Sequence, residues 1–192
     1  MNLVGDFFAL GLVAILSLFF FQNAYFPTKA SKFFALSLVL TAATGCLDIL
    51  AVYMFDAPNV PLWLNMLVNS LFFATNVLTT TMIAMVLFHK ILEHVHDDHC
   101  LKLAKTLMIA IYSIYLTFVA LNIGTGILFY FDSDGTYQRG PLNSIGYVFT
   151  VAQMVMVLIC YIRNKKYAAS YMKRALIQVF PPAVLCILLQ LQ

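Results

Sequence analysis

The sequence predicts an all-α integral membrane protein, a bundle of six transmembrane helices with both termini outside. Hydrophobic residues make up 62% and charged residues 10% of the chain, with a mean hydropathy of +0.90. Soluble domains average roughly 45–50% apolar and about 25% charged residues. Six long apolar stretches alternate with five short polar loops, and a lipid-exposed backbone must satisfy its own hydrogen bonds, so each stretch is predicted to be a helix. The predicted spans are 3–22, 33–55, 62–88, 104–130, 141–162 and 175–192.

The first stretch is predicted to be a permanent span rather than a cleaved signal peptide. It carries Asp6 where a signal peptide has a basic region, and no small-residue cleavage pattern follows it. Its apolar length matches the roughly 20 residues that cross the hydrocarbon core of a bilayer. We therefore count it as the first of the six helices.

The second span contains Asp48 in its interior, whereas the other acidic residue within a predicted span, Asp6, lies near the start of the first. An ionised Asp at the centre of a membrane helix costs about 2.5–3.5 kcal/mol, so it needs a partner, water or a proton. Two interpretations stay open. Asp48 belongs to a ligand pocket or senses protons, or it is protonated and hydrogen-bonds a neighbouring helix.

The third span places Asn65, Asn69 and Asn76 at i, i+4 and i+11, which is one face of a helix. Amides in hydrocarbon need partners, so this face is predicted to point into the bundle. One interpretation is that these residues join helices through hydrogen bonds. The alternative is a polar ligand cavity shared with Asp48 and Asn122.

The third loop is rich in potential metal ligands. If the helix continued through it, His89, Glu93, His96 and Cys100 would share one face, and zinc accepts these ligand types. A solvated polar loop is the simpler interpretation, and no metal or other cofactor is predicted. The four cysteines show no disulfide or zinc spacing and are interpreted as small apolar residues that fill the core: Cys46, Cys100, Cys160 and Cys186.

Arg139 in the fourth loop is the exception to an otherwise one-sided charge distribution. The other ten of the eleven Lys and Arg residues lie in the first, third and fifth loops. Short loops rich in Lys and Arg stay in the cytoplasm, which places both termini outside the cell membrane. Arg139 is predicted to pair with Asp132 or Asp134, or to bind an anionic ligand. No basic run is interleaved with stacking aromatic residues, so nucleic acid is not a predicted partner.

Several short motifs resemble the N-terminal multi-helix sensor region of bacterial signalling proteins that carry a GGDEF diguanylate cyclase or a histidine kinase domain. The resemblance covers nearly the whole chain. It implies a sensory pocket that opens outward and contains Asp48, Asn122, Arg139 and the polar face of the third helix. It also implies a further helix and a cytoplasmic effector, which suggests that a C-terminal part is missing here. The motifs are Asp48-Ile49-Leu50; Pro61-x-Trp63-x-Asn65; Asn122 to Leu128; Phe131-Asp132-x-Asp134-Gly135-x-Tyr137-x-Arg139-Gly140-Pro141-Leu142; and Arg163-Asn164-Lys165-Lys166.

The predicted function is a sensor module in the bacterial inner membrane that detects an external or membrane-dissolved small molecule. Its predicted partners are the lipid bilayer and either a cytoplasmic effector or a second copy of the chain. No catalytic constellation is present in the sequence, so the chain is not predicted to be an enzyme. A small transporter remains the first alternative. The second is a scaffold that acts through helix contacts, for which Gly45 and Gly124 would be the critical positions.

Overall fold

The computed structural model describes residues 4–23, 28–55, 60–93, 95, 98–133, 135–168, 171–174, 176–177 and 181. The described chain is mostly helical, with one small hairpin. Most of the sixth predicted span, 175–192, lies outside the described residues; 171–174, 176–177 and 181 are helical. The elements are α1 Val4–Asn23, α2 Lys29–Phe55, α3 Leu62–Ile91, α4 Asp98–Thr125, β1 Phe129–Phe131, β2 Tyr137–Arg139 and α5 Ile145–Asn164.

Four helices are long and apolar enough to cross a membrane, and they mark the chain as a membrane protein by length and composition. They are Lys29–Met54, Leu62–Ile91, His99–Thr125 and Ile145–Asn164, which have 20 to 30 residues each. At about 1.5 Å per residue, such helices match the roughly 30 Å hydrocarbon core. Phe7–Gln22 in α1 is a shorter apolar stretch. Exposed side chains such as Phe19 and Ile123 suit contact with lipid.

Helix α3 is the centre of the bundle and packs against α2, α4 and α5, whereas α1 packs mainly on α2. The α1–α2 pair is antiparallel, because Leu10 lies beside Gly45 and the rings of Phe20 and Phe34 are 4.9 Å apart. At one end of the bundle, which we call the hairpin end, α2 and α4 finish, α3 and α5 begin, and the two strands pair. We call the opposite end the basic end. The basic residues described there are Lys29, Lys32, Lys90, Lys102, Lys105, Arg163, Lys165, Lys166, Lys173 and Arg174.

Buried side chains form three clusters, one at each end of the bundle and one between α2 and α3. The largest cluster lies at the basic end, around Phe88, Ile91 and Met108. A second cluster at the hairpin end joins α3 and α4 to the strands around Tyr115 and Phe129. The third packs α2 against α3. The hairpin is therefore part of the packed core and not a loose loop.

Helix α4 ends at Thr125, five residues before the predicted end of the fourth span. Gly126 adopts φ +64°, and its N–H donates to the Asn122 carbonyl at 2.9 Å, which closes the last turn. The chain then pairs as antiparallel strands, with Phe129 opposite Arg139 and Phe131 opposite Tyr137. The prediction of helices alone is wrong over these strands. An apolar run of six residues does not distinguish a buried strand from a helix end.

Helix α5 begins at Ile145 rather than at the predicted 141. Residues 141–144 form a turn that extends the hairpin contacts. The Leu142 N–H of this turn donates to the Ile127 carbonyl at 2.8 Å. Just before the turn, the Gly140 N–H donates to the Leu128 carbonyl at 2.9 Å. The segments before and after the strands are thus held together by backbone hydrogen bonds, which fixes the start of α5 relative to the end of α4.

Candidate ligand-binding site

A cleft of about 440 Å³ lies at the hairpin end. Its size falls within the roughly 300–1,000 Å³ that is usual for small-molecule sites. The walls come from the start of α3, the last turn of α4, β1 and the turn before α5, and most of them are apolar. The lining residues are Leu62, Met66, Asn122, Ile123, Gly124, Thr125, Gly126, Tyr130, Phe131 and Pro141.

Asn122 is the polar side chain that connects this cleft to the hairpin. It is fully buried, and its Oδ1 accepts hydrogen bonds from the Leu128 N–H at 2.6 Å and the Phe129 N–H at 3.1 Å. Its Nδ2 is buried without a hydrogen-bond partner. The oxygen therefore holds the strand in place, and the amide nitrogen remains as a donor. The sequence grouped Asn122 with Asp48 and the asparagines of α3 in one polar cavity, whereas the lining of this cleft contains Asn122 alone of these residues. The role of Asn122 in holding the hairpin was not predicted.

Aromatic rings support the hairpin beside the cleft. The ring of Phe129 stacks on Phe73 at 5.4 Å and on Tyr137 at 5.7 Å. The Asn143 Nδ2 donates to the Leu128 carbonyl at 2.8 Å and to the Tyr137 Oη at 3.2 Å. Burial raises the pKa of the Tyr137 phenol, while the hydrogen bond from Asn143 and the nearby charge of Arg139 act in the opposite direction. These contacts keep the wall of the cleft in one arrangement.

Arg139 does not form the predicted pair with Asp132. Its side chain is exposed on β2. Among the described residues, the ion pair found is that of Lys90 with Glu93 at 3.0 Å, and it does not involve Arg139. The Asp132 carboxylate instead stabilises the turn, because it accepts from the Thr136 N–H at 2.9 Å. The alternative partner, Asp134, lies outside the described residues. Arg139 therefore presents its charge at the hairpin end.

Asp48 and Arg139 both lie within electrostatic range of Tyr147, a residue that the sequence analysis did not single out. Asp48 is half-buried on α2, Tyr147 is in the first turn of α5, and Arg139 is on β2. Both charged groups act electrostatically on the Tyr147 hydroxyl. Three separate elements thus bring these side chains to the same region of the bundle. A single Tyr near a helix start is typical of any membrane interface, so the sequence offered no specific signal for it.

The three asparagines of α3 share a face, but their surroundings differ. Asn65 and Asn69 are buried, whereas Asn76 is exposed, so the prediction that all three point into the bundle is wrong for Asn76. Each residue turns a helix by about 100°. Around the axis of α3, the row of three asparagines therefore lies between Val68, which packs against α2, and Thr80, which bonds to α5. The row is buried near the hairpin end, at Asn65 and Asn69, and exposed at Asn76.

The buried asparagines do not join helices through the hydrogen bonds that the structure describes. The Asn69 Nδ2 donates to the Asn65 carbonyl at 2.9 Å, within the same helix. The Asn65 Oδ1 is buried without a hydrogen-bond partner. An unsatisfied buried acceptor is costly, and native proteins keep few of them. The interhelical role therefore stays a prediction for this pair.

Gln153 is the polar residue in the membrane that the sequence analysis missed. It lies in the middle of α5 and is 1% exposed. Its Nε2 donates to the Thr81 Oγ1 at 2.8 Å, and its Oε1 accepts from the Thr80 Oγ1 at 3.1 Å. These are direct side-chain bonds between α3 and α5. A lone amide at the centre of an apolar span was the signal that could have revealed it, because such a group needs a partner.

We expect Gln153→Leu to lower the free energy of unfolding by about 1–2 kcal/mol, because both bonds to α3 are lost while the packed volume is nearly kept. The matched control is Thr117→Val, which removes an exposed hydroxyl that bonds only to Ser113 in its own helix at 3.0 Å. Equilibrium unfolding in lipid bicelles measures both. Equal stability of the two variants would show that the α3–α5 bonds contribute nothing.

The face of candidate metal ligands that a continuous helix would create is not formed. Helix α3 ends at Ile91 and α4 begins at Asp98, so no continuous helix aligns the candidates. Glu93 pairs with Lys90, and the His89 ring stacks on Phe33 at 5.3 Å. The remaining candidates are His96, which lies outside the described residues, and Cys100, which packs against the core cluster of the basic end. Among the described residues, no group of three or more potential ligands comes together.

The two glycines proposed for helix contacts differ in their surroundings. A Cβ atom on Gly45 would lie 2.8 Å from the Leu10 Cδ2, so this glycine allows α1 to approach α2 closely. A Cβ atom on Gly124 would meet no atom within 4 Å. Gly124 instead lines the open cleft, and the prediction that it is a packing position is wrong.

Comparison of this chain with models of protein families, with curated proteins and with solved structures found no match.

Proposed function

We propose that this chain is a multi-pass sensor module of the bacterial inner membrane, without catalytic activity of its own, that binds a small molecule in the hairpin-end cleft. The observation that carries this proposal is a cleft of about 440 Å³ lined in part by Asn122, whose Nδ2 is buried without a hydrogen-bond partner. Because this atom has no exposed surface, a bound acceptor would satisfy it only after the wall of the cleft shifts, and such a shift is what a sensor requires. The apolar walls suit a ligand that is itself largely apolar.

The distribution of charge supports an outward-facing cleft. The described Lys residues lie at the basic end, and among the described residues Arg139 is the basic side chain at the hairpin end. By the rule that positive loops stay inside, the basic end faces the cytoplasm. In this orientation the N-terminus and the cleft are on the outer side, and a signal can arrive from outside or from the outer leaflet.

The elements that form the cleft continue into helices that end on the cytoplasmic side, so they can transmit a change caused by ligand binding. Its walls combine α3, α4 and β1, and backbone hydrogen bonds join the hairpin to the segment that leads into α5. A ligand favours whichever arrangement of these elements it binds more tightly. The resulting shift of α5 against α3 would be the signal. An effector such as the GGDEF or kinase domain of the sensors that the motifs resemble, or a second copy of the chain, would receive it.

Filling the cleft is the direct test. We expect Gly124→Phe to block binding, because Gly124 lines the cleft and a Cβ atom there meets no atom within 4 Å. The probes are apolar compounds with one carbonyl or hydroxyl acceptor, screened by their effect on thermal unfolding in nanodiscs. The matched control is Gly11→Phe on α1, where a Cβ atom also meets nothing within 4 Å.

Compounds that bind in the cleft should raise the melting temperature of the wild type and of Gly11→Phe, but not that of Gly124→Phe. They should also change the rate of α3–α5 crosslinking between introduced cysteines, as a sensor requires. Equal shifts in all three proteins, or no compound that binds, would contradict the proposal.

A small transporter is the second candidate. It is favoured by Asp48, which is half-buried, and by the two buried asparagines of α3, Asn65 and Asn69. Flux across proteoliposome membranes that is lost in Asp48→Asn would support transport. A flux-inactive protein that still binds in the cleft would support the sensor.

A further inference from the structure

Positive charge is concentrated directly after the membrane-spanning part of α5. Five of the eleven Lys and Arg residues lie between positions 163 and 174, and no Asp or Glu follows Asp134 in the sequence. The third loop, by contrast, balances its three lysines with Glu93, Asp97 and Asp98. We call residues 163–168 and 171–174 the basic segment. Its charged side chains are Arg163, Lys165, Lys166, Lys173 and Arg174.

The five charges of the basic segment are available to a partner. All five side chains are exposed, and the ion pair between Lys90 and Glu93 does not involve them. The Lys166 Nζ lies 6.0 Å from the centroid of the Tyr167 ring, which attracts the ammonium group but carries no net charge to neutralise it. Like charges held close together repel one another, so an anionic partner would relieve this repulsion.

Contacts on both sides fix the basic segment at the basic end of the bundle. In the turn that follows α5, the N–H groups of Tyr167 and Ala168 donate to the Asn164 carbonyl at 2.9 and 3.0 Å. Met172 and Leu176, one helical turn apart, are 1% and 5% exposed within the core cluster of this end. The basic segment is therefore held against the bundle and presents its charges from a defined position.

Exposed apolar and aromatic side chains place the basic segment at the depth of the lipid headgroups. Helix α5 is long and apolar enough to cross a membrane, and it ends at Asn164. Tyrosines collect at the membrane–water interface, and Lys and Arg at the end of a span extend their charges towards the headgroups. The exposed apolar and aromatic side chains in or beside the basic segment are Ile162, Tyr167, Tyr171 and Ile177.

We propose that the basic segment binds anionic phospholipids through their headgroup phosphates. Each Lys or Arg near the surface strengthens the attraction to an anionic leaflet about fivefold, so a cluster of five favours anionic over zwitterionic lipid. The guanidinium groups of Arg163 and Arg174 can each bind a phosphate through two parallel N–H bonds. A soluble acidic protein would match the charge but not the exposed apolar side chains interspersed with it.

This inference needs only that the helices cross a membrane, and it does not depend on the proposed sensor function. It also holds whichever side of the membrane the basic end faces, because both leaflets present headgroup phosphates. The partner is defined by its net negative headgroup, as in phosphatidylglycerol, in contrast to the neutral headgroup of phosphatidylcholine.

Tryptophan fluorescence can measure this preference locally. Trp63 is the only tryptophan of the sequence, and it is exposed at the hairpin end. Trp63→Phe combined with Tyr167→Trp moves the fluorophore to an exposed position of the basic segment. The protein is reconstituted in mixtures of phosphatidylcholine and phosphatidylglycerol, with brominated acyl chains on one lipid or the other. Brominated chains quench a tryptophan that they contact, so the two series give the affinity ratio of the lipids at that site.

We expect phosphatidylglycerol to be preferred at least about threefold at position 167, and less at Trp63 of the wild type. Adding Lys165→Gln and Lys166→Gln to the relocated-tryptophan protein should lower this ratio at least about twofold. The matched control, Lys29→Gln with Lys32→Gln, also removes two exposed charges from the basic end, and it should keep the ratio.

Three results would overturn the proposal. A ratio of one at position 167 would do so, and it is the result expected if the basic segment served an acidic protein. An equal loss in the two lysine pairs, or an equal ratio at Trp63, would show that the preference is not local to this segment. A preference abolished by inorganic phosphate, but not by sodium chloride of the same ionic strength, would assign the segment to free phosphate.

Discussion

Gly140→Ala should prevent the hairpin from closing and lower the free energy of unfolding by at least about 3 kcal/mol. Gly140 is buried at the end of β2, and a Cβ atom there would collide with the carbonyl oxygens of Gly126 and Ile127. Both obstacles are backbone atoms in a hydrogen-bonded turn, so no side chain can rotate out of the way. The two segments would have to separate, with loss of the bond between the Gly140 N–H and the Leu128 carbonyl.

The measurement for Gly140→Ala combines equilibrium unfolding in bicelles with hydrogen exchange of the peptide that covers 126–140. Gly124→Ala is the matched control, because it adds the same methyl group where no atom lies within 4 Å. It should stay within about 1 kcal/mol of the wild type, since alanine also favours the helix. Wild-type protection of the hairpin amides in Gly140→Ala would show that the close approach described here is not required.

Asn122→Leu should cost about 2–5 kcal/mol and expose the hairpin to exchange, although the substitution makes the site more apolar. The reason is that the N–H groups of Leu128 and Phe129 would lose their acceptor while remaining buried. A buried donor without a partner costs about 1–3 kcal/mol, and two such donors are created. Because Asn122 also lines the cleft, ligand binding should be lost together with stability.

The control for Asn122→Leu is Asn76→Leu, the same change at an exposed position of α3. Leucine suits a lipid-facing site, so this variant should be as stable as the wild type or slightly more stable. Both variants are measured by unfolding in bicelles and by exchange of the Leu128 and Phe129 amides. If both variants lost the same stability, the loss would reflect asparagine removal in general and not the bonds of Asn122 to the hairpin.

Apolar length predicted the helices well where they end in polar loops. α1, α2 and α3 begin and end within about four residues of their predicted bounds. The prediction was wrong at the junction of α4 and β1, where the chain stays apolar while its conformation changes. Gly126 was the local signal there, because a glycine after an apolar run commonly ends a helix. The strand itself depends on Tyr137–Arg139, which pair with it from beyond the turn.

For the candidate site, too, the sequence predicted some features and not others. Residue type alone identified Asp48, Asn65, Asn69 and Asn122, since a polar group in an apolar span must find a partner wherever it lies. Residue type could not tell which partner each one has. The Asn122 amide bonds to its own hairpin, and Asn76 is exposed. These outcomes depend on which helices flank α3, and no periodicity within α3 specifies its neighbours.

The sequence by itself determined that this is a membrane protein built of helices, with its positive charge at one end, because hydrophobicity and charge are properties of the residues and act wherever the chain packs. Only the tertiary structure decided that Asn122 supports a hairpin and that Gln153 bonds to α3. Each of these contacts joins residues that are distant in the chain or in different elements. Their proximity follows from the packing of whole helices, which local composition does not encode.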